Sequence, residues 1–74
     1  MNRPDHLKRM DAELLELREK TRKLERFVLS SEKCLALCRL EQVQLSIQLG
    51  SMIAYGNILQ ERISYTEKKL KGES

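Results

Sequence analysis

Residues 42–60, QVQLSIQLGSMIAYGNILQ, form a run of nineteen residues without a charged side chain, in a chain of which 34% is charged. The ten apolar residues of this run fall on more than one side of a helix, which is unusual in so small a chain. They are Val43, Leu45, Ile47, Leu49, Met52, Ile53, Ala54, Tyr55, Ile58 and Leu59. The run therefore predicts a helix that other parts of the chain, and other copies of it, must cover.

The small size of the chain favours self-association. A single domain of residues 1–74 is near the size at which one core supplies only about 3–5 kcal/mol of stability. One Phe, two Tyr and no Trp leave burial to aliphatic side chains, and one Pro with three Gly leaves few points at which a helix must end. We expect an all-α fold: an antiparallel two-helix hairpin that assembles into a helical-bundle homo-oligomer.

The first predicted helix runs from about residue 4 to about residue 29. It begins at Pro4, whose missing N–H is no loss in the first turn of a helix. Apolar residues then recur at alternating spacings of three and four, which is a heptad pattern with one apolar stripe. The stripe consists of Leu7, Met10, Leu14, Leu17, Thr21, Leu24 and Val28. Mixed charges separate these positions, so the other side of the helix is expected to face solvent.

Ser30 and Ser31 interrupt the pattern, and the predicted hinge is residues 30–32. Ser31 suits the N-cap of a second helix with Glu32 in its first turn, and this helix is expected to cover residues 33–71. So short a connection requires the two helices to pack antiparallel. The alternative is one continuous long helix, because neither Gly nor Pro stands at the junction.

The second predicted helix carries two apolar surfaces. The first repeats at spacings of four and three and is expected to face the first helix; its members are Leu45, Leu49, Met52, Gly56, Leu59, Ile63, Thr66 and Leu70. The second lies to one side of it and consists of Val43, Ile47, Ala54, Ile58 and Tyr65. One partner helix cannot cover both, so the second surface is expected to meet other copies of the chain in a dimer or a larger ring.

No combination of residues typical of a catalytic or metal site is found, and we expect neither an enzyme nor a bound cofactor. His6 is the only histidine, while Cys34 and Cys38 are one turn apart and lack further ligands. The net charge of +3 is modest for a DNA-binding surface. The polar residues within residues 42–60 argue against a membrane span, and the charge-rich start of the chain is unlike a signal peptide. These features favour the cytoplasm.

A line of polar residues follows the second helix at intervals of seven. It consists of Glu41, Gln48, Tyr55, Arg62 and Lys69. Small residues, among them Gly50, Ser51 and Gly56, occupy the middle of the same helix. Two interpretations fit them: a close helix crossing at an oligomer interface, or a polar ligand pocket formed where copies meet.

The pocket interpretation gives each side chain a role. Arg62 would bind a phosphate through two hydrogen bonds, Tyr55 would stack on a base, and Gln48 or Asn57 would contact a base edge. The remaining candidate ligand-binding residues are Ser51, Lys20 and Lys23.

Residues from about 7 to 64 resemble a family of short phage and prophage helical-hairpin proteins. The more specific part of the resemblance is the pattern QLxxMxxYxxILxxRI, which runs from Gln48 to Ile63. In size, helical character and expected self-association the chain is also similar to phage sponges, which bind the nucleotide signals of bacterial immune systems such as Thoeris and CBASS. Among these it resembles the Sequestin type.

The resemblance implies an anti-defence protein that sequesters a nucleotide-derived immune signal in pockets between subunits, in the cytoplasm of the host cell. The alternative is an oligomeric helical inhibitor that docks its uncharged surface on a host protein such as a defence nuclease. A DNA-binding regulator is disfavoured, because the hairpin leaves no room for a helix-turn-helix. The expected partners are thus other copies of the chain and a nucleotide-derived small molecule or, in the alternative, a host defence protein, but neither DNA nor a membrane.

Overall fold

The computed structural model describes residues 3–72, and nearly all of them are helical. Helix α1 covers Asp5–Ser30, the short helix α2 covers Glu32–Leu35, and helix α3 covers Arg39–Leu70. The long helices run in opposite directions, since Arg3 contacts Glu67 while Arg18, further along α1, contacts Gln60. Residues 3–72 contain no strand. The predicted all-α hairpin is therefore confirmed.

Helix α1 begins at Asp5, close to the predicted start. Pro4 is its N-cap, and the Pro4 carbonyl accepts hydrogen bonds from the backbone N–H groups of Leu7 and Lys8, at 3.0 and 3.1 Å. All seven residues of the heptad stripe are buried or half-buried, whereas Leu15 and Leu29, which lie off the stripe, are exposed. The stripe is therefore the side of α1 that meets the rest of the chain.

The connection between the long helices contains an additional helix. Ser31 has an extended backbone, and its Oγ accepts a hydrogen bond from the backbone N–H of Lys33 at 3.1 Å, which caps α2. The predicted capping role of Ser31 is confirmed. Because α2 ends at Leu35 and the chain turns before continuing, the second long helix begins at Arg39 rather than at about residue 33.

The turn after α2 is held by a side chain of α3. The Gln42 side-chain amide donates hydrogen bonds to the backbone carbonyls of Leu37 and Leu35, at 2.9 and 3.4 Å. Leu35 is the last residue of α2 and Leu37 lies in the turn, so these contacts satisfy carbonyls that no helix bonds. The chain folds back at this point, and the alternative of one continuous helix is excluded.

The most buried part of the hairpin lies toward its open end. Leu7 and Leu14 of α1 pack against Leu59 and Ile63 of α3, and Leu59 is 0% exposed. The residues predicted to face α1 are buried or half-buried along α3, except Leu70 at its end, which is exposed. The two predicted apolar stripes thus form the intramolecular interface.

Two glycines in α3 have different surroundings. Gly56 is buried against α1, and a Cβ atom built on it would lie 3.7 Å from Cδ2 of Leu17. A Cβ atom built on Gly50 would meet nothing within 4 Å. The close approach of α1 therefore accounts for a small residue at position 56 but not for one at position 50.

The second apolar surface of α3 is uncovered, as expected if α1 can cover only one. Val43, Ile47, Ala54, Ile58 and Tyr65 are all exposed. Despite this apolar surface, none of the helices within residues 3–72 combines the length and hydropathy that crossing a membrane requires.

Candidate functional site

Three of the predicted site residues lie on one side of α3, which we term the α3 flank: Gln48, Tyr55 and Arg62. Each is seven residues from the next, so their Cα atoms are nearly aligned and about 10 Å apart along the helix axis. All three are exposed. The flank therefore presents an amide, a phenol ring and a guanidinium group to solvent in one row.

The Tyr55 side chain is held in place by α1. Its hydroxyl donates a hydrogen bond to the Glu13 carboxylate at 2.5 Å. This hydrogen bond raises the pKa of Tyr55, with smaller contributions in the same direction from partial burial and from the charge of Glu13, while the charge of Arg62 lowers it. The aromatic ring is thus fixed at the edge of the hairpin, with a carboxylate beside it. Glu13 was not among the residues predicted from the sequence.

Arg62 lies at the wall of a shallow surface depression of about 340 Å³, which Ile58, Glu61, Tyr65 and Thr66 also line. None of the ion pairs formed within residues 3–72 includes Arg62. A guanidinium group with five N–H donors and no carboxylate partner in this part of the chain is suited to binding an anionic oxygen group.

Two other predicted site residues, Ser51 and Asn57, do not join the row formed by Gln48, Tyr55 and Arg62. The Ser51 hydroxyl donates to the backbone carbonyl of Ile47 at 3.0 Å, so its hydrogen is already used within α3. Asn57 is two residues from Tyr55, about 200° around the helix, and it lines a groove on the other side of the hairpin. One hairpin alone does not bring Asn57 together with the α3 flank.

The two lysines predicted from the first helix are also separated. Lys20 forms an ion pair with Glu16 at 3.4 Å, and both side chains are largely exposed. Lys23 is exposed and lies nine residues, or two and a half turns, after the buried Leu14. Lys23 is therefore on the side of α1 that faces away from α3, and a site that includes it requires another copy of the chain.

A basic groove between α1 and α3 was not predicted from the sequence. It has a volume of about 250 Å³, and its polar lining consists of Arg18, Thr21, Arg22, Asn57 and one carboxylate, Glu25. Arg18 donates to the side-chain carbonyl of Gln60 at 3.0 Å, which links the two helices across the groove. The arginines are four residues apart and flank the heptad stripe. The heptad pattern could therefore have predicted that they lie beside the partner helix.

The cysteines are free thiols. Cys34 is buried, while Cys38 is exposed and its Sγ donates to Glu41 Oε1 at 3.2 Å. Within residues 3–72 there is no group of three or more His, Cys, Asp and Glu side chains that could hold a metal ion.

Comparison with known proteins identifies a family. Residues 4–65 match the Sequestin family, and this segment includes both long helices up to Tyr65. Comparisons with curated proteins and with solved structures each found no match.

Proposed function

The chain belongs to the Sequestin family, and from this premise we propose that it is a phage anti-defence protein that binds and sequesters a nucleotide-derived immune signal. The signal would be of the Thoeris or CBASS type, and it would be held in pockets between subunits. The family name supports a sequestering role, and the α3 flank supports the class of ligand.

The arrangement of Gln48, Tyr55 and Arg62 is the observation on which the proposal depends. All three side chains are exposed on one side of one helix, and they combine an amide, an aromatic ring and a cationic group. A molecule with a base and a phosphate needs these three contacts: hydrogen bonding at the base edge, stacking on the base, and donors to the phosphate. A rigid helix fixes the spacing between them before the ligand binds.

Glu13 adds a contact suited to a sugar. Its carboxylate accepts the Tyr55 hydroxyl and has further lone pairs with which to accept ribose hydroxyls, the group that acidic residues bind in dinucleotide sites. Arg62 would then bind the phosphate and Tyr55 the base. Repulsion between Glu13 and the phosphate orients the ligand, because the phosphate must lie on the Arg62 side.

The α3 flank of one hairpin is open to solvent, and an open surface does not enclose a small molecule. Binding sites for small molecules are concave and cover most of the ligand. A second copy of the chain would supply further contacts beside the flank. Sequestration between subunits is therefore the arrangement we propose.

Isothermal titration calorimetry with cyclic dinucleotides and with ADP-ribose-derived TIR products tests the proposal. We expect one of these ligands to bind the unmodified protein, and Arg62→Ala and Tyr55→Ala to reduce its affinity by at least about tenfold, since charge-assisted hydrogen bonds and base stacking each contribute about 1–3 kcal/mol.

Arg26→Ala is the matched control, because it removes the same charge from an exposed position on α1. We expect it to bind as the unmodified protein does. Absence of binding by every ligand, with circular dichroism showing an intact helical fold, contradicts the proposal. Equal losses in Arg62→Ala and Arg26→Ala would show that only net charge matters and would also contradict it.

A further inference from the structure

The exposed side of α3 carries an apolar surface, which we term the back stripe. Its members are Leu40, Ile47, Ser51, Ala54, Ile58 and Tyr65. We propose that two copies of the chain pair through their back stripes, with their α3 helices antiparallel and a two-fold axis between Ser51 and Ala54. This inference rests on the shape and composition of α3, and it holds whichever ligand the protein binds.

The back stripe lies opposite the intramolecular interface. Ile47 and Tyr65 are each nine residues from the buried Gly56, which places them half a turn away from α1. Ile47 is 64% exposed and Tyr65 is 65% exposed. No part of the hairpin is therefore available to cover them. An exposed surface of this kind, apolar except for Gln44, Ser51 and Glu61, is typical of a protein–protein contact.

The order of residues along the stripe identifies the partner as a second copy. Leu40 and Tyr65, Ile47 and Ile58, and Ser51 and Ala54 are three pairs whose members are equally far from the midpoint between positions 52 and 53. In a two-fold contact the same surface is used by both copies, and residue i meets residue j while j meets i. Antiparallel pairing about this midpoint places each large apolar residue against another and pairs the two small residues at the centre.

The centre of the stripe is built for close approach. Ser51 and Ala54 are small, and the adjacent Gly50 has open space where a Cβ atom would lie. Glycine within a helix is less favourable than alanine, because it loses more backbone freedom on folding. Nothing in the hairpin explains that cost at Gly50, whereas a helix of a second copy crossing at this point does.

A parallel arrangement of the two helices fits less well. Glu61 lies seven residues after Ala54, on the same side of α3. Parallel pairing would place Glu61 of one copy against Glu61 of the other, and like charges at a helix contact repel each other. In the antiparallel register Glu61 faces the neutral Gln44 of the second copy. The two helix dipoles are then antiparallel, so that unlike ends lie side by side and attract.

The stripe offers several large side chains for a contact between copies. Ile58 is 54% exposed, and Leu40, Ile47 and Tyr65 are exposed to a greater extent. Between Gln42 and Gln60 the surface carries no charge. The association is therefore expected to change little with salt concentration.

The same pairing brings the α3 flanks of the two copies together, a step that rests on the proposed function. A two-fold axis perpendicular to both helices, within the plane of contact, leaves the flanks of both copies on the same side of the dimer. Tyr55 lies close to the axis, so the Cα atoms of the two Tyr55 residues are separated by only about 7 Å along the helix direction. The dimer then presents two aromatic rings side by side, with one Arg62 toward each end.

Disulfide trapping in the absence of any nucleotide tests the register. The background carries Cys34→Ala and Cys38→Ser, and two variants of it carry Ile47→Cys and Ile58→Cys. When these are mixed under mild oxidation, we expect a cross-link between the two different variants, because positions 47 and 58 face each other across the axis. Ile47→Cys alone should not cross-link to itself, since its two copies lie about 16 Å apart along the helix, beyond the reach of a disulfide.

Sedimentation of charged variants tests the surface independently. We expect the unmodified chain to sediment as a dimer, and Ile47→Glu and Ile58→Lys each to sediment as folded monomers. An equimolar mixture of the two should recover dimers, because the new charges face each other in the antiparallel register. Leu15→Glu is the matched control: Leu15 is 63% exposed on α1, against 64% for Ile47, and this variant should remain dimeric.

Several results would overturn the inference. They are a monomeric unmodified chain at micromolar concentration, self-cross-linking of Ile47→Cys, and dissociation by Leu15→Glu equal to that caused by Ile47→Glu. None of these measurements includes a ligand. The dimer can therefore be disproved without disproving nucleotide binding, which calorimetry tests separately.

Discussion

Tyr55 and Glu13 lie 42 residues apart in the chain and meet where α3 crosses α1, with the tyrosine hydroxyl donating to the carboxylate. The contact joins the two long helices at the α3 flank and keeps the phenol protonated, because ionisation would place two negative charges against each other. It therefore links the packing of the hairpin to the chemistry of the candidate site.

Glu13→Gln is expected to lower the pKa of Tyr55 toward its ordinary value. The largest cause of the raised pKa is the hydrogen bond to the Glu13 carboxylate, and a neutral amide accepts that hydrogen bond more weakly. A titration followed by the ultraviolet absorbance of phenolate measures the change, with Tyr65→Phe in the background so that Tyr55 alone is observed. Glu16→Gln, on the same helix, should leave the titration unchanged; an equal shift in both variants would contradict the assignment.

The same contact gives folding a pH dependence at high pH. Because the pKa of Tyr55 in the folded state is above its ordinary value, the folded chain holds this proton more tightly than the unfolded chain does. The stabilisation is complete below the ordinary pKa of tyrosine and is lost as the pH rises through the higher folded-state pKa. Urea unfolding at several pH values should show this loss in the unmodified protein, and Glu13→Gln should reduce it.

Leu59→Ala is expected to lower the free energy of unfolding by about 2–5 kcal/mol, the usual cost of truncating a fully buried leucine. Leu59 is 0% exposed and contacts the core residues at the open end. Urea unfolding at one fixed protein concentration measures the loss, since association contributes to stability. Leu15→Ala removes the same atoms from an exposed position and should change the free energy by less than about 0.5 kcal/mol.

Ser31→Ala is expected to lower the free energy of unfolding by about 1 kcal/mol. The Ser31 hydroxyl accepts the backbone N–H of Lys33 at the start of α2, and alanine leaves that donor without a partner in the protein. Its neighbour provides the control: Ser30 Oγ donates to the Arg26 carbonyl inside α1, a bond that does not support a helix start. Equal losses on thermal or urea unfolding of Ser30→Ala and Ser31→Ala would argue against a capping role.

Gly56→Ala is expected to raise the free energy of unfolding by up to about 1 kcal/mol, because alanine is the better helix former. The added Cβ atom would lie 3.7 Å from Leu17 Cδ2, an ordinary packing distance. Gly56→Leu should instead destabilise the protein, since a larger side chain has no space between α1 and α3. The midpoint of urea unfolding reports both changes, and destabilisation by alanine would show that the helices are closer than this distance indicates.

The sequence predicted the helical hairpin, because each long helix carries an apolar repeat that needs a partner to cover it, but it left open one continuous helix through Ser30 and Ser31. The capping role of Ser31 was likewise predictable from local chemistry, since a serine before Glu32 satisfies backbone donors that any helix leaves free. The exposed second surface of α3 followed from counting more apolar residues than one partner helix can cover.

Contacts between residues distant in the chain were decided only by the tertiary structure. The late start of α3 depends on hydrogen bonds from the Gln42 side chain to the carbonyls of Leu35 and Leu37. The position of Glu13 beside Tyr55 depends on the axial offset between the two long helices. The heptad repeat specifies which sides meet but allows several such offsets. Burial of Leu7, Leu14, Leu59 and Ile63 in one cluster selects among them, and that selection determines which polar groups surround the candidate site.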